Sequence, residues 1–455
     1  MNVHRLIYGL AQRLRGEPVE AVLRELQAGR RGSAAALEAL HWRRRRELLL
    51  HAWTTVGWYR QRLQEARIDP HEVSTAEDWS ALPVVEKSEF QARSAEFVSS
   101  RAPAGFAAST SGSSGTPVTV LRSHASWAHG HANMIDHMAW HGVEWGERHA
   151  YFWGVPLDPG ARRSAALRDF LFNRDRCSAF ALDGALAREF YERQLRRPSR
   201  YALGYPSALT KFADELETQG LDGRALGWKV AIATAEVLHD HQRERITRVL
   251  GCPVSDTYGC AETGPIGLEC ARGSLHVPIE SVAVDFMVND EGHTELLLTD
   301  LHNFSQPVIR YRVGDLLRVA GGDGADAGAP ATLRPAESCA CGLPLPVMPP
   351  VLGRAGDTLE LPGGRRINAN LPSYIFKKHG QAGTIREYQF VQFPGGRIAL
   401  RITLGPSWKD SIRGELLAQV REVLGIDVEL EIVPKLERRG RGKHRDFVRA
   451  EDAVD

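Results

Sequence analysis

The sequence predicts an α/β protein with a large amino-terminal domain, whose β-sheets are covered by helices, and a small α+β carboxyl-terminal domain. Between about residues 105 and 320, short apolar runs typical of strands alternate with helical stretches, as at Ala150–Val155, Lys229–Thr234 and Glu295–Thr299. The segment Gly321–Ala331 has the composition of a loop or linker and precedes a second set of such patterns. A length of 455 residues accommodates two or three domains.

The first 100 residues predict a helical opening, and the last 70 predict a small mixed unit. Leu37–Leu63 has apolar residues at helical spacing and contains the basic run Arg43–Arg46. That run predicts a solvated helix face whose arginine stems lie on apolar neighbours, although it could instead contact phosphate. The carboxyl-terminal patterns are strands near Tyr388–Phe393, Arg397–Leu404 and Val428–Val433 and a helix near Trp408–Leu424.

Composition and charge argue against several classes of protein. With 43% hydrophobic and 25% charged residues the chain is of ordinary globular composition, and a net charge of +1 gives no global indication of nucleic acid or an acidic membrane as partner. No apolar run approaches the ~20 residues that span a bilayer. Met1–Glu17 resembles a short amphipathic helix without the apolar core of a secretory signal, so we expect a cytoplasmic protein. Six cysteines do not indicate a disulfide scaffold.

The segment Ser109–Pro117 contains six hydroxyl side chains and two glycines within nine residues, with no charge among them. Glycines let the backbone approach a ligand, and N–H and O–H groups can replace the water shell of a polyphosphate. Thr116 stands where a Walker P-loop has lysine, so another residue must supply the cation. A flexible turn is the alternative. The phosphate hypothesis involves Thr110, Ser111, Gly112, Ser113, Ser114, Gly115 and Thr116.

Five shorter clusters follow this hydroxyl loop. They are Ala233–Glu236, Asp256–Glu262, Ile309–Asp315, Gly353–Asp357 and Gly440–Lys443. A tyrosine beside a glycine, as at Tyr258, can lay its ring on a flat heterocycle, and the carboxylate of Glu262 can hold Mg²⁺. Asp315 follows a glycine at a predicted strand end, where it can accept from both hydroxyls of a ribose.

Each of these side chains also has a purely structural interpretation. Tyr258 could be a core aromatic, and Glu262 could be the partner of a helix N-cap. Arg310 and Arg312 could be surface partners of nearby acids, and Lys443 could belong to a solvated basic tail.

The order and spacing of these clusters resemble the acyl-adenylate-forming (ANL) superfamily, and within it the phenylacetate–CoA ligase-like branch. Val56–Arg60 and Leu82–Lys87 resemble the helical opening of that branch, so the resemblance covers nearly the whole chain. It implies a domain 1–353 that binds ATP and a carboxylic acid, and a mobile lid 354–455 with its hinge near Asp357. It also implies that the acid attacks the α-phosphate of ATP, giving an acyl-adenylate and pyrophosphate. A nucleophile, usually the thiol of coenzyme A, then displaces AMP.

The resemblance also implies the roles of individual residues. Lys443 would bridge the carboxylate and the α-phosphate as charge develops there, Glu262 would bind Mg²⁺, and Arg310 would face phosphate or ribose. Tyr258 would stack on adenine, Asp315 would bind the ribose, and the hydroxyl loop would hold the β- and γ-phosphates. The other implied nucleotide-binding residues are Ala235, Glu236, Asp256, Thr257, Gly259 and Arg354.

Cys270, His276, Cys339 and Cys341 form a second constellation. Three cysteines and one histidine are an accepted ligand set for structural zinc, and some members of the branch that this chain resembles carry such a metal. The metal would pin the segment that carries Glu262 without taking part in chemistry, since four protein ligands close its shell. Four unconnected residues are the alternative, because the spacing is not the C-x₂-C of zinc fingers. His137 and His141 stand four apart, but we expect a helix face beside the substrate pocket there and not a metal site.

The acid would bind in an aromatic neighbourhood that includes Trp153 and Tyr205, with Cys260 facing it. Aromatic walls suit an aryl or arylacetic acid, but a packed α/β core uses the same residues. The acceptor could be coenzyme A, or an amine, a hydroxyl or a carrier-protein thiol. A nucleotide-binding protein without turnover is a further alternative, against which Lys443 and Glu262 argue. A homodimer is possible.

Overall fold

The computed structural model describes residues 3–109, 118–154, 159–179, 182–289, 293–317, 333–354, 358–360, 366–368, 376, 379, 383–436 and 447–450. The described helices are α1 (Val3–Leu14), α2 (Val19–Gly29), α3 (Ala34–Thr55), α4 (Gly57–Glu65), α5 (Ala76–Ser80), α6 (Lys87–Ala92), α7 (His124–Trp140), α8 (Pro159–Leu171), α9 (Gly184–Arg196), α10 (Pro206–Thr218), α11 (Asp240–Leu250) and α12 (Ile412–Leu424). None of these described helices is both long enough and apolar enough to cross a membrane.

The strands in the described ranges form five sheets. They are β1 (Gly105–Ser109), β2 (Thr119–Ser123), β3 (His149–Trp153), β4 (Arg174–Ser178), β5 (Tyr201–Gly204), β6 (Ala231–Thr234), β7 (Val254–Cys260), β8 (Gly264–Glu269), β9 (Leu275–His276), β10 (Val282–Val288), β11 (Thr294–Asp300), β12 (Tyr311–Leu317), β13 (Val351–Arg354), β14 (Thr358–Glu360), β15 (Arg366–Asn368), β16 (Ile385–Gln392), β17 (Ile398–Leu404), β18 (Glu429–Ile432) and β19 (Phe447–Arg449). The mixture confirms the predicted α/β class.

The largest sheet has seven strands in the order β4-β3-β5-β6-β7-β8-β9. Strands β3 to β7 are parallel neighbours, and β8 and β9 turn back antiparallel at one side. Parallel pairing places the carboxyl ends of five strands at one edge, which is where open α/β sheets bind ligands. The helices that connect these strands supply a core of aromatic and aliphatic residues, among them Phe152, Phe190 and Phe212.

Two antiparallel sheets are formed by strands that come before and after the seven-stranded sheet in the chain. Strands β1 and β2 form a hairpin that ends where Ser109 pairs with Thr119, so the hairpin brackets the hydroxyl loop, whose residues 110–117 lie outside the described part. Strands β10 to β13 form a four-stranded sheet in which Asp315 of β12 is in register with Arg354 of β13. The sequence hypothesis assigned both of these residues to the nucleotide.

The carboxyl-terminal part forms its own sheet, in the order β18-β17-β16-β19, with α12 packed on it. Its core contains Phe390, Leu400, Leu416 and Val420, which are almost completely buried. The predicted small α+β unit is therefore confirmed as a fold. The helix begins at Ile412 and not at Trp408.

The basic run Arg43–Arg46 was expected on a solvated face, and the structure corrects this expectation for its two middle residues. Arg44 and Arg45 are buried. Arg44 donates to Glu25 and to the carbonyl of Glu280, while Arg45 donates to Asp285 and lies 4.9 Å from the ring centroid of Trp79. The charges are tolerated inside because carboxylates, a carbonyl and aromatic faces replace water. The predicted helix over 37–63 is also two helices, since the chain is extended at Val56.

Arg30, at the end of α2, joins the helical opening to the large domain through a buried ion-pair cluster. Its guanidinium lies 2.8 Å from Glu280, 2.6 Å from Asp136 and 2.5 Å from the amide oxygen of Asn133. The side chain is only 4% exposed. Two buried carboxylates therefore depend on one cation.

We expect Arg30→Met to lower the free energy of unfolding by about 3–5 kcal/mol, because removing one member of a buried ion pair leaves uncompensated charge. Chemical denaturation followed by tryptophan fluorescence measures the change. Arg31→Met, at the exposed neighbouring position, is the control and should leave the midpoint unchanged. Equal midpoints for both variants would contradict a structural role for the cluster.

Candidate nucleotide and acid site

The carboxyl edge of the seven-stranded sheet collects residues that the sequence had assigned to a site. Strand β3 ends at Trp153, β6 ends just before Ala235, and β7 carries Tyr258 and Cys260 to its end. The hydroxyl of Thr234 also donates to the carbonyl of Thr257 at 3.2 Å, which ties the ends of β6 and β7 together. The topology thus gathers segments that are far apart in sequence.

The hydroxyl of Tyr258 donates to the carboxylate of Asp315 at 2.5 Å. The two residues are 57 positions apart and belong to different sheets. A hydroxyl bonded to a carboxylate over this distance is a strong, charge-assisted hydrogen bond. It brings the two groups predicted to hold adenine and ribose next to each other.

Glu262 lies in the turn between β7 and β8 and is 3% exposed. The hydroxyl of Tyr311 donates to its carboxylate at 3.3 Å, and Tyr311 belongs to the same strand, β12, as Asp315. The turn is tight: a Cβ built on Gly259 would lie 2.6 Å from the carbonyl oxygen of Gly264. Glycine is therefore required at Gly259 for the turn to present Glu262 beside β12.

Asp256, on β7, has an unusual electrostatic environment. Burial and the adjacent Glu269 carboxylate raise the pKa of Asp256 to about 7, and Arg243 opposes the shift only in part. Glu269 itself accepts from the backbone N–H of Asp256 and pairs with Arg243 at 2.9 Å. A carboxyl group that is protonated near neutral pH can donate as well as accept a hydrogen bond.

Two of the residues predicted to bind nucleotide or phosphate have backbones in the left-handed region. The φ angles are +69° at Ala235 and +53° at Arg310, and the other described non-glycine residues with positive φ are Arg67 and Asn173. Such conformations are costly for residues with a side chain and cluster at ligand sites. The strain at Ala235 sits directly after β6, at the ligand-binding edge of the sheet.

Glu236 and Arg310 have contacts that hold the scaffold. Glu236 accepts from the backbone N–H of Ser207 at 3.1 Å, near the start of α10. The Arg310 guanidinium is buried and donates to the carbonyl of Trp79 at 3.0 Å, in the helical opening. These contacts do not place Arg310 at the Tyr258–Asp315 pair, and its role at a phosphate stays a prediction. The buried hydroxyl of Thr257 has no hydrogen-bond partner among the described residues.

Two aromatic residues predicted for the acid pocket contact each other, and one of them, Tyr205, is buried in the core. The rings of Trp153 and Tyr205 are stacked with centroids 4.3 Å apart, and Trp153 also stacks on Tyr151 at 5.3 Å. Tyr205 precedes α10 at the carboxyl end of β5, so both rings lie at the same sheet edge. Cys260 is half-buried, and its thiol lies 3.3 Å from the hydroxyl of Thr263.

The four predicted metal ligands come together. The ligand atoms of Cys270, His276, Cys339 and Cys341 all lie within 4.8 Å of one another. The Cys270 and Cys339 sulfurs are 3.7 Å apart, and the Cys341 sulfur is 3.2 Å from Nε2 of His276. Two thiolates on one tetrahedral Zn²⁺ stand about 3.8 Å apart, given Zn–S bonds of about 2.3 Å. The separation of the Cys270 and Cys339 sulfurs therefore matches that of two thiolates on one tetrahedral ion.

Hydrogen bonds to backbone groups orient three of these four side chains. Nδ1 of His276 donates to the carbonyl of Leu345 at 2.8 Å, which leaves the lone pair on Nε2, the atom that faces the thiols. Backbone N–H groups point at two of the sulfurs, from Arg272 to Cys270 and from Leu343 to Cys341. Such donors stabilise thiolate.

His137 and His141 do not form a metal site of their own. Nε2 of each ring lies 2.9 Å from the carbonyl oxygen of Glu269, the residue before Cys270. The helix face that was expected beside the substrate pocket thus packs on the end of β8, next to the metal cluster.

Several predicted residues lie outside the described part of the chain: Thr110, Ser111, Gly112, Ser113, Ser114, Gly115, Thr116, Asp357 and Lys443. Arg354 is described only through its backbone pairing with Asp315. Sequence reasoning missed Tyr311 and Glu269. Tyr311 lies inside the Ile309–Asp315 cluster and could have been found there, whereas Glu269 has no local signal.

The raised pKa of Asp256 predicts a pH-dependent stability. Below about pH 4 both folded and unfolded chains hold the proton, whereas between about pH 4 and 7 only the unfolded chain ionises and the wild type loses stability. Asp256→Asn removes this penalty. The stability of the variant relative to the wild type should therefore be greater at pH 8 than at pH 5, by up to about 3 kcal/mol. Melting temperatures of both proteins at the two pH values measure this difference. Asp427→Asn, at an exposed position, is the control. A difference independent of pH would contradict the assignment.

No family model matches the chain. It is 23% identical over 428 residues to the phenylacetate-coenzyme A ligase of Pseudomonas putida, covering 87% of this chain and 89% of that protein. It is 24% identical over 360 residues to the phenylacetate-coenzyme A ligase of Thermus thermophilus, covering 72% of each chain.

A solved structure of 2-hydroxyisobutyryl-CoA ligase, in the postadenylation state in complex with 2-HIB-AMP, has the same fold. The TM-score is 0.72 at 20% sequence identity, and the match covers 93% of this chain and 92% of the ligase. Relatives aligned over most of their length and a shared two-unit fold agree with the gathered motifs. Over most of its length the chain is similar to phenylacetate-coenzyme A ligases, and it has the fold of the 2-hydroxyisobutyryl-CoA ligase.

Proposed function

We propose that this protein is an AMP-forming acid–thiol ligase, which converts a carboxylic acid, ATP and coenzyme A into an acyl-CoA, AMP and pyrophosphate. The observation that carries the proposal is the hydrogen bond between Tyr258 and Asp315. It joins two polar motifs from separate sheets at the ligand-binding edge, with Glu262 on the adjoining turn. A structural core would not need these charged and hydroxyl groups there.

The described residues suit a magnesium–nucleotide. Tyr258 offers a ring for adenine, and the bond from its hydroxyl fixes the Asp315 carboxylate that would accept from the ribose. The hydroxyl of Thr257, which has no partner within the described part of the chain, and the protonatable Asp256 offer further hydrogen bonds on the same strand. Glu262 would hold Mg²⁺, which neutralises phosphate charge when bound. The hydroxyl loop, which connects β1 to β2, would bind the β- and γ-phosphates.

The acid is proposed to be aryl or arylacetic. The support is the aromatic composition at the carboxyl edge of the sheet, where the half-buried Trp153 stacks on Tyr205, a residue of the core. We further propose that the domains divide at residues 353 and 354, with a hinge near Asp357, so that Lys443 reaches the α-phosphate from the small domain. The acyl group would then pass from AMP to the thiol sulfur of coenzyme A.

The test is pyrophosphate release from ATP across a panel of aryl, arylacetic and aliphatic acids. With the best acid, product formation is then compared with coenzyme A, with amines and with no acceptor. Coenzyme A-dependent thioester formation supports the proposal. Pyrophosphate release with product only from amines would assign a different acceptor. Nucleotide binding without acid-dependent ATP–pyrophosphate exchange would show a binding protein without turnover.

Lys443→Ala should reduce adenylate formation by a factor of about 10²–10³ or more, because it removes the cation at the site where charge develops. ATP–pyrophosphate exchange measures the loss, and equilibrium ATP binding shows that the nucleotide site persists. Lys435→Ala, at an exposed lysine just after β18, is the matched control and should keep full exchange. Normal exchange in the Lys443 variant would show that the lysine is misassigned.

We also propose that Cys270, His276, Cys339 and Cys341 hold one structural Zn²⁺. The sulfur spacing, the outward hydrogen bond of the His276 ring and the N–H groups aimed at sulfur support this ligand set. Four protein ligands leave no open position, so the ion would link β8 and β9 to the segment that contains Cys339 and Cys341 without reacting.

Protein purified without added metal should therefore contain about one equivalent of zinc, measured by elemental analysis. Cys339→Ser should lose most of it and melt at a lower temperature, because bound structural metal contributes folding free energy. Cys252→Ser, a buried thiol away from the cluster, should retain the zinc. Less than about half an equivalent in the wild type would rule out a tight structural site.

A further inference from the structure

Arg122 lies on β2, the strand that the hydroxyl loop leads into, and only 3% of this residue is exposed to solvent. Side-chain amides hold the backbone on both sides of it. The N–H of Leu121 donates to the amide oxygen of Gln306 at 2.7 Å, and the N–H of Ser123 donates to that of Asn303 at 3.1 Å. The part of β2 that carries Arg122 is therefore fixed to the segment that follows β11.

The guanidinium of Arg122 contacts three further elements. Nε and Nη2 donate to the hydroxyl of Ser126 on α7, at 3.1 Å and 2.7 Å. Nη2 also lies 3.5 Å from the carboxylate of Asp300, the last residue of β11, which accepts from the Ser126 hydroxyl as well. The third contact is a hydrogen bond of 3.2 Å from Nη2 to the carbonyl of Thr263, in the turn between β7 and β8. A buried cation thus joins β2 to the turn that carries Glu262.

The β7–β8 turn lies tightly against this guanidinium. Gly264, directly after Thr263, has a φ of +86°, and a Cβ built on it would lie 3.3 Å from Nη2 of Arg122 and 3.4 Å from Nη1. A side chain at this position would be strained and would press against the arginine. The backbone of the turn therefore approaches the arginine so closely that glycine is required there.

Glu262 is held from two sides. The hydroxyl of Tyr311 donates to its carboxylate at 3.3 Å, whereas Arg122 holds the carbonyl of the next residue, Thr263. The first contact acts on the side chain, and the second acts on the backbone. Removing a contact of this kind behind a metal ligand typically lowers metal affinity by a factor of about 10–100.

We propose, on the basis of the ligase function proposed above, that Arg122 is a positioning residue, which holds Glu262 at a fixed place relative to β2, the strand that follows the hydroxyl loop. Glu262 would bind Mg²⁺, and the loop would bind the β- and γ-phosphates that share this ion. Their separation must therefore match one magnesium–triphosphate, and a displacement of about 1 Å is enough to impair such a site. Arg122 sets this separation through its contacts with protein groups.

An arginine suits this position better than a lysine. Its planar guanidinium donates to Ser126 and to Thr263 at the same time and in fixed directions, whereas the ammonium of lysine is a point charge on a flexible stem. Arg122→Lys therefore keeps the buried positive charge beside Asp300 and loses the geometry, which separates positioning from charge compensation.

Amide hydrogen exchange tests the contact without turnover. In Arg122→Met the amides of residues 259–264 should exchange about tenfold faster or more, because the turn loses a hydrogen bond from a charged group. Arg30→Met removes another buried arginine with carboxylate partners, so it is the matched control and should leave these amides unchanged. Each protein is measured at the same interval below its own melting temperature. If Arg122→Met does not fold, Arg122→Lys replaces it, with Arg30→Lys as the control.

Magnesium dependence tests the consequence for catalysis. The Mg²⁺ concentration that gives half-maximal ATP–pyrophosphate exchange should rise about tenfold in Arg122→Met and less in Arg122→Lys, while KM for the acid stays at its wild-type value. Arg30→Met should keep the wild-type Mg²⁺ dependence, since loss of stability alone does not change it. Unchanged amide exchange, or an unchanged Mg²⁺ dependence, in the Arg122 variants would overturn the proposal. A wild type without acid-dependent ATP–pyrophosphate exchange would instead contradict the ligase function, and the amide measurement still decides whether Arg122 holds the turn.

Discussion

The parallel pairing of β3, β5, β6 and β7 is the constraint on which the rest of the site depends. The carboxyl ends of these strands lie at the same edge of the sheet, and the chain continues from each of them into a helix or a turn. Trp153, Ala235 and Tyr258 reach one region only because their strands are in parallel register. The second sheet contributes Asp315 to this region, where its carboxylate accepts a hydrogen bond from the hydroxyl of Tyr258.

Much of this arrangement could be predicted from the sequence, because its signals are local. Alternating apolar runs predicted the strands, and the glycine beside Tyr258 helped to mark that segment as a nucleotide motif. The close approach of Gly259 to Gly264 was not predicted. The four metal-site residues could be grouped because cysteine and histidine are uncommon and their chemistry is specific. Their mutual distances could not be predicted, since these depend on how β9 pairs with β8.

The burial of charged side chains could not be predicted from the sequence. Arg44 and Arg45 lie in a run that has the composition of a solvated face, yet their partners Glu280 and Asp285 are about 240 residues away. Arg30 depends in the same way on distant carboxylates. Long-range pairing decides whether an arginine is a surface group or a core group, and one sequence contains no local signal of it. Asp256 is similar, because its raised pKa reflects its burial and the Glu269 carboxylate that β8 places beside it.

Strand β8 has a consequence of its own. It is six residues long, about 20 Å at the rise of an extended strand. One end meets the turn with Glu262, and the other end runs into Cys270. The strand therefore connects the thiol cluster directly to the turn that carries Glu262, a carboxylate proposed for catalysis. Because β8 also pairs with β7, the thiol cluster and Glu262 are held by one and the same pair of strands.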